Sequence, residues 1–191
     1  MKHTVVALVE DRPGVLNRVA SLFRRRGYNI DSLAVGTTEE QGISRMTIVV
    51  DGDAGIVEQV EKQLYKLIDV VKVSDLTAEE AVVRELVLIK VRCTKEQRRD
   101  VLDLVEIFRA QAVDVSPSSM IIQSVADEDR NNALIENLQP FGIRELTRTG
   151  RIAMVRGSKT TAVHEQEPAE LQRFHRDSGR RPEGELPFVS D

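Results

Sequence analysis

One order of segments, strand, helix, strand, strand, helix, strand, occurs twice between Thr4 and Val155 and restricts this chain to a narrow set of folds. Thr4 to Val9 is a β-branched apolar run of strand length, closed by Glu10-Asp11-Arg12-Pro13-Gly14, a polar turn with proline where a helix begins. Leu16, Val19, Ala20 and Phe23 then fall at helical spacing. Arg24-Arg25-Arg26 and Gly27 mark the helix end, where basic side chains complement the dipole. Ile30 to Val35 and Ile43 to Val50 read as antiparallel strands joined through the polar hairpin connection Glu39-Glu40-Gln41-Gly42. Asp53 caps a second helix with Ile56, Val57, Val60, Leu64 and Leu67 on its apolar face, and Val70-Val71-Lys72-Val73 supplies the fourth strand.

This βαββαβ order predicts an α+β, ferredoxin-like domain over residues 1–76: a four-stranded antiparallel sheet with both helices on one face. The other face needs cover, so pairing of sheets between copies is expected. The order returns with Leu86 to Val91, a helix opened by the capping box Thr94-Lys95-Glu96-Gln97 and carrying Val101, Leu104, Val105 and Phe108, then Ala112 to Val115 and Met120 to Val125. A helix through Leu134, Ile135 and Leu138 and a single last strand from Ile143 to Val155 complete a second ferredoxin-like domain over 85–157. Thr77 to Arg84, acidic and with its own capping-box pattern, reads as a linker with one helical turn. Residues 158–191 hold three of the six prolines and only scattered apolar residues, so a disordered tail is expected there.

Several function classes are excluded early. A net charge of −4 lacks the basic surplus that a nucleic-acid face requires, and neither a helix-turn-helix pattern nor a basic stripe supports DNA contact. No apolar run is long enough to span a membrane and no signal sequence is evident, so a cytoplasmic protein is expected. With Trp absent and few other aromatics, the core must come from Val, Ile and Leu. Cys93 is the only cysteine and reads as a buried small hydrophobe, neither nucleophile nor metal ligand. His3, His164 and His175 form no triad or metal set and read as solvated surface groups. Phosphate-loop and metalloprotease signatures are missing, Arg24-Arg25-Arg26 reads as a solvated helix end, and Asp127-Glu128-Asp129 as a helix start. No catalytic or metal-ligating residue is nominated.

The loop from Glu10 to Leu16 is the stretch whose pieces fit a binding task. A helix N-terminus presents unpaired backbone N–H groups to an α-carboxylate, Gly14 admits close approach, and Asp11 suits an α-ammonium. Asn29 adds a donor and an acceptor where the chain enters the second strand. Asp11-Arg12-Pro13-Gly14-Val15-Leu16, with Arg18-Val19 and Phe23, resembles the first loop and helix of ACT domains, small amino-acid-binding regulatory modules. Arg26 to Leu33, Ser44-Arg45-Met46-Thr47, Glu61 to Leu67 and Val70 to Val73 narrow the resemblance to the small regulatory subunit of acetohydroxyacid synthase, also called acetolactate synthase. It continues through Arg84-Glu85-Leu86, Glu106 to Arg109, Val113-Asp114-Val115 and Arg148-Thr149-Gly150.

The resemblance implies a non-catalytic subunit that binds the large catalytic subunit, raises its activity and confers feedback inhibition by valine or a related branched-chain amino acid. Thiamine diphosphate, Mg and FAD are then expected in that partner, and none in this chain. It also implies a homodimer through the ACT domains, with Asp11, Gly14, Val15 and Leu16 of one protomer facing Asn29 and Ile30 of the other. Many relatives carry Asn where this chain has Asp11. Two alternatives stand beside this reading. One is an ACT-type sensor controlling a different enzyme or a transcription factor; the other is a hydrolase of the acylphosphatase type, which uses a loop Arg and a strand Asn in the manner of Arg12 and Asn29.

Overall fold

Residues 1–163 are described by a computed structural model. Strands Lys2–Glu10 (β1), Ile30–Thr37 (β2), Ile43–Asp51 (β3) and Val70–Asp75 (β4) form the first sheet, with helices Val15–Arg26 (α1) and Ala54–Leu64 (α2) in the connections. The strand order is β2-β3-β1-β4 and every neighbouring pair is antiparallel, as the ferredoxin-like reading requires. The two-residue period of β1 sends Val5, Ala7 and Val9 toward the helices, where they join Val19, Phe23, Ile48, Val60 and Leu64 in one buried core. Asp53 caps α2 by accepting from the Ile56 amide at 2.9 Å, as its position in the sequence suggests.

The buried stripe of α1 is Val15, Val19, Leu22 and Phe23, whereas Leu16 is 45% exposed and Ala20 is also exposed. Two stripes were available, sharing Val19 and Phe23. Burying Leu22 in place of Ala20 removes more apolar surface from water, and this turns Leu16 outward. Gly27 ends the helix in the left-handed region, with φ at +71°.

Ala81–Arg92 (β5), Arg98–Ile107 (α3), Gln111–Ser116 (β6), Ser119–Ala126 (β7), Glu128–Leu138 (α4) and Ile143–Arg148 (β8) repeat the pattern in the order β6-β7-β5-β8. Val87, Ile89, Met120, Ile122, Leu134 and Leu138 form the second core, and Cys93 is buried within it. The Thr94–Gln97 capping box is present as two reciprocal bonds of 3.4 Å, one turn before α3. Asn131 on α4 is fully buried: it donates to the Glu85 carbonyl and carboxylate at 3.3 and 3.2 Å and accepts from Ser124 Oγ at 2.7 Å. Asn131→Ala leaves that buried carboxylate short of a donor, and is expected to cost about 2–3 kcal/mol, seen as a lower urea midpoint with an unchanged slope.

Other details also differ from the sequence-based expectations. The linker has no helical turn: β5 starts at Ala81, because its β-branched start, Val82-Val83, pairs with an added strand, Ile152–Val155 (β9). The last strand is correspondingly two strands, β8 and β9, broken at Thr149-Gly150-Arg151 with Gly150 at φ +85°. Residues 158–163, expected as part of the tail, lie against the first sheet: Arg45 donates to Thr161 Oγ1 at 2.6 Å and Lys72 to the Ala162 carbonyl at 3.0 Å. The rest of the expected tail, 164–191, lies outside the described residues, and so do His164 and His175. His3 is 6% exposed, not solvated, because β1 runs under α2 and its Nε2 lies 3.2 Å from the Gly52 carbonyl.

β9 also alters how the first sheet is covered. Val6, Leu76 and Ala153 form a third buried cluster with Val83 and Val155 packed against it. The start of β5 and β9 thus shield part of the face that a lone four-stranded sheet leaves wet.

Candidate functional site

The loop between β1 and α1 is drawn into place by backbone bonds. Glu10 N–H donates to the Asp69 carbonyl at 2.8 Å and Asp11 N–H to the Gly42 carbonyl at 2.7 Å, tying the loop to the start of β4 and to the β2–β3 hairpin. Gly14 stands at the N-cap of α1 with φ +88° and ψ −9°, a conformation that disfavours side chains, and so no side chain caps the helix. The first-turn amides of Leu16 and Asn17 are left for a ligand or for water. Asp11 and Leu16 are exposed around this end, whereas Val15 is buried, so its side chain serves the core and only its backbone borders the loop.

Arg18 and Asp69 were not singled out by sequence reasoning. Arg18 Nε and Nη2 donate to the two carboxylate oxygens of Asp69 at 2.6 and 2.8 Å, and the Asp69 side chain is only 6% exposed. A Cβ on Gly14 would lie 3.5 Å from Arg18 Nη1, so the guanidinium, its charge matched by Asp69, sits beside the helix entrance with Nη1 toward it. The signal available was Arg18 itself, which falls within the loop-and-helix stretch that carries the ACT resemblance. Its acidic partner, 51 residues away, follows no local pattern.

Asn29 and Ile30 lie past the other end of α1. Asn29 is exposed, while Ile30 pairs with Val50 and packs against the first core. A helix of 12 residues separates the two groups, roughly 18 Å at 1.5 Å per residue. One chain therefore does not unite the nominated residues; they stand as two half-sites. The same separation parts Arg12, which is exposed and ion-paired with Glu10 at 3.2 Å, from Asn29, so among the described residues of one chain these two do not meet in an acylphosphatase-type centre.

Just after the second half-site, β2 carries a bulge. Ile30 pairs with Val50 and Ser32 with Val49, leaving Asp31 as the extra residue. Lys2 Nζ lies 3.0 Å from the Asp31 carboxylate and 2.6 Å from that of Glu128, the first residue of α4. The hydrogen bond from Lys2 holds Glu128 below the ordinary carboxylate range, with a further contribution from the adjacent Arg151, and the same bond raises Lys2.

Comparison with known proteins places this geometry in a family. A family model described as the AHAS small subunit-like ACT domain matches residues 6–72, and one for the small subunit of acetolactate synthase matches residues 84–157. The first domain is an ACT domain, joined here to a second βαββαβ domain. The chain is 58% identical over 159 residues to the probable acetolactate synthase small subunit of Archaeoglobus fulgidus, covering 83% of this chain and 99% of that one. It is 54% identical to the acetolactate synthase small subunit of Aquifex aeolicus, covering 81% of each. The crystal structure of the acetolactate synthase small subunit from Thermotoga maritima superposes with a TM-score of 0.77 at 43% identity, covering 83% of this chain and 99% of that one. The chain belongs to the acetolactate synthase small subunit family.

Proposed function

We propose that this chain is the regulatory subunit of an acetolactate synthase: it binds the large catalytic subunit, raises its activity and imposes feedback inhibition by valine in branched-chain amino-acid biosynthesis. The chemistry on pyruvate belongs to that large subunit, with its thiamine diphosphate, Mg and FAD. The effector sits between two ACT domains, held by Asp11, Gly14, Val15 and Leu16 of one protomer and Asn29 and Ile30 of the other.

The observation that carries this reading is the division of the site into two half-sites at opposite ends of α1. β2 is the edge strand of its sheet, and among the described residues it pairs only with β3. Antiparallel pairing of β2 with β2 of a second copy would bring the beginning of one strand toward the loop end of the other. Beside that edge lies a largely apolar cleft of about 510 Å³, where Val35, Ile152 and Met154 are exposed, a surface suited to cover by another chain. In the bound state the α1 amides and Arg18 favour the carboxylate, Asp11 the ammonium, and the exposed Leu16 an apolar side chain.

Calorimetric titration of the purified chain with valine, with leucine and isoleucine as comparators, tests the effector site. Saturable valine binding that is lost in Asn29→Ala is the expected result; no binding by any of the three would sink it. Reconstitution with the catalytic subunit tests the other half: activation of turnover is expected, and its absence would favour an ACT-type sensor serving a different enzyme.

A further inference from the structure

The turn between β8 and β9, Arg148 to Arg151, includes a stretch that carries the family resemblance but that the effector site does not use. It lies against the start of β2. Arg151 N–H donates to Ser32 Oγ at 2.9 Å, and Arg151 Nη1 donates to Thr4 Oγ1 at 3.1 Å on β1, beyond the intervening β3. Gly150 makes the approach feasible: a Cβ there would lie 2.7 Å from Ser32 Oγ and 3.3 Å from the Leu33 carbonyl oxygen. Arg151 also donates to Glu128, which Lys2 links to Asp31. The contacts close a ring: Asp31, Lys2, Glu128, Arg151, Ser32.

Both residues of β2 in that ring belong to its bulge. A bulge bends its strand and re-aims the residues beside it, so the ring fixes how Asn29 and Ile30 are presented. On the other side, Arg148 donates to Glu85 at 3.2 Å and to Asn132 Oδ1 at 2.6 Å, joining the turn to β5 and α4. A cavity of about 320 Å³ lined by Asp31, Ser32, Glu85 and Arg148 leaves room for the turn to shift.

We infer that Gly150, Arg151 and Glu128 are positioning residues for the Asn29–Ile30 half-site, and that the second domain senses effector occupancy through the β2 bulge. The coupling rests on the effector reading above; the mechanical link does not. Transmission between domains requires an element that both sites bias, and the bulge is the element that the half-site and the turn share.

Hydrogen exchange on the full chain separates the two parts. Without ligand, Glu128→Gln speeds exchange at Ile30 to Leu33 by about tenfold and leaves α2 and β7 unchanged. Gly150→Val acts in the same direction and more strongly. Unaltered exchange at Ile30 to Leu33 in Glu128→Gln overturns the link whatever valine does. With valine bound, wild type gains protection at residues 149–152, and Glu128→Gln loses that protection and binds valine about two- to thirtyfold more weakly. Equal valine affinity in both proteins, with no protection at 149–152, overturns the coupling. A wild-type chain that binds no valine overturns the effector reading instead, and the ligand-free exchange still decides the link.

Discussion

Gly14→Val is expected to weaken valine binding by at least about a hundredfold, equivalent to about 2.7 kcal/mol, while the chain remains folded. Space is not the obstacle, since a Cβ at this position meets only Arg18 Nη1 at 3.5 Å, an ordinary contact. The obstacle is the backbone, at φ +88°, where a β-branched residue costs of order 1–3 kcal/mol. The chain can escape that strain by re-routing the loop. Doing so breaks the 3.0 Å bond from Arg18 N–H to the Gly14 carbonyl and turns the first amides of α1 away from their common direction. A carboxylate bound there would lose its donors together. Gly14→Ala, less crowded at the same φ, should fall between wild type and valine. Calorimetry paired with circular dichroism checks both, and wild-type affinity in Gly14→Val would mean that the α1 N-terminus does not hold the carboxylate.

Phe23→Ala should destabilise the first domain by about 3–5 kcal/mol, a large share of the 5–15 kcal/mol typical of a whole domain. Phe23 is 1% exposed, at the centre of the core between α1 and the sheet. Its ring stands edge-on to Tyr28, with centroids 6.2 Å apart and planes at 77°, so truncation forfeits an aromatic contact as well as leaving a cavity. Leu16→Ala, on the same helix but 45% exposed, should change stability by less than about 0.5 kcal/mol. Urea unfolding of both variants reads the contrast. Similar losses would mean that α1 is rotated from the orientation described, with Leu16 taking part in the core.

The repeated βαββαβ order was legible because each element is short, strongly periodic and closed by its own punctuation: Gly27 after α1, Asp53 before α2, the Thr94–Gln97 box before α3. What the sequence hid depends on partners far along the chain. Nothing local distinguishes Val82-Val83 in a linker from Val82-Val83 in a strand; the difference is β9, some 70 residues later. His3 reads as a surface group until β1 is laid against the Gly52 turn, 49 residues away. The choice between Leu16 and Val15 turned on a one-residue rotation that periodicity alone does not resolve.

The candidate site divides in the same way. Gly14 was legible from turn chemistry, and Asn29 chiefly from resemblance. Asp69 was not, because an ion pair between α1 and the connection before β4 leaves no pattern in the neighbourhood of either partner.

The length of β5 bears on how this protein can be taken apart. Residues 81–84 lie with β9 over the first sheet, and the same unbroken strand continues as a central member of the second. The interval between the two family matches, residues 73–83, is therefore not a place to cut. An excised first half would bare Val6 and Leu76, and an excised second half would carry β9 and the beginning of β5 with nothing beneath them. Hybrids that exchange effector domains between relatives should accordingly transplant the β5–β9 pair along with the first sheet. The economical unit of inheritance in this architecture is a sheet together with the lid that its neighbour lends it.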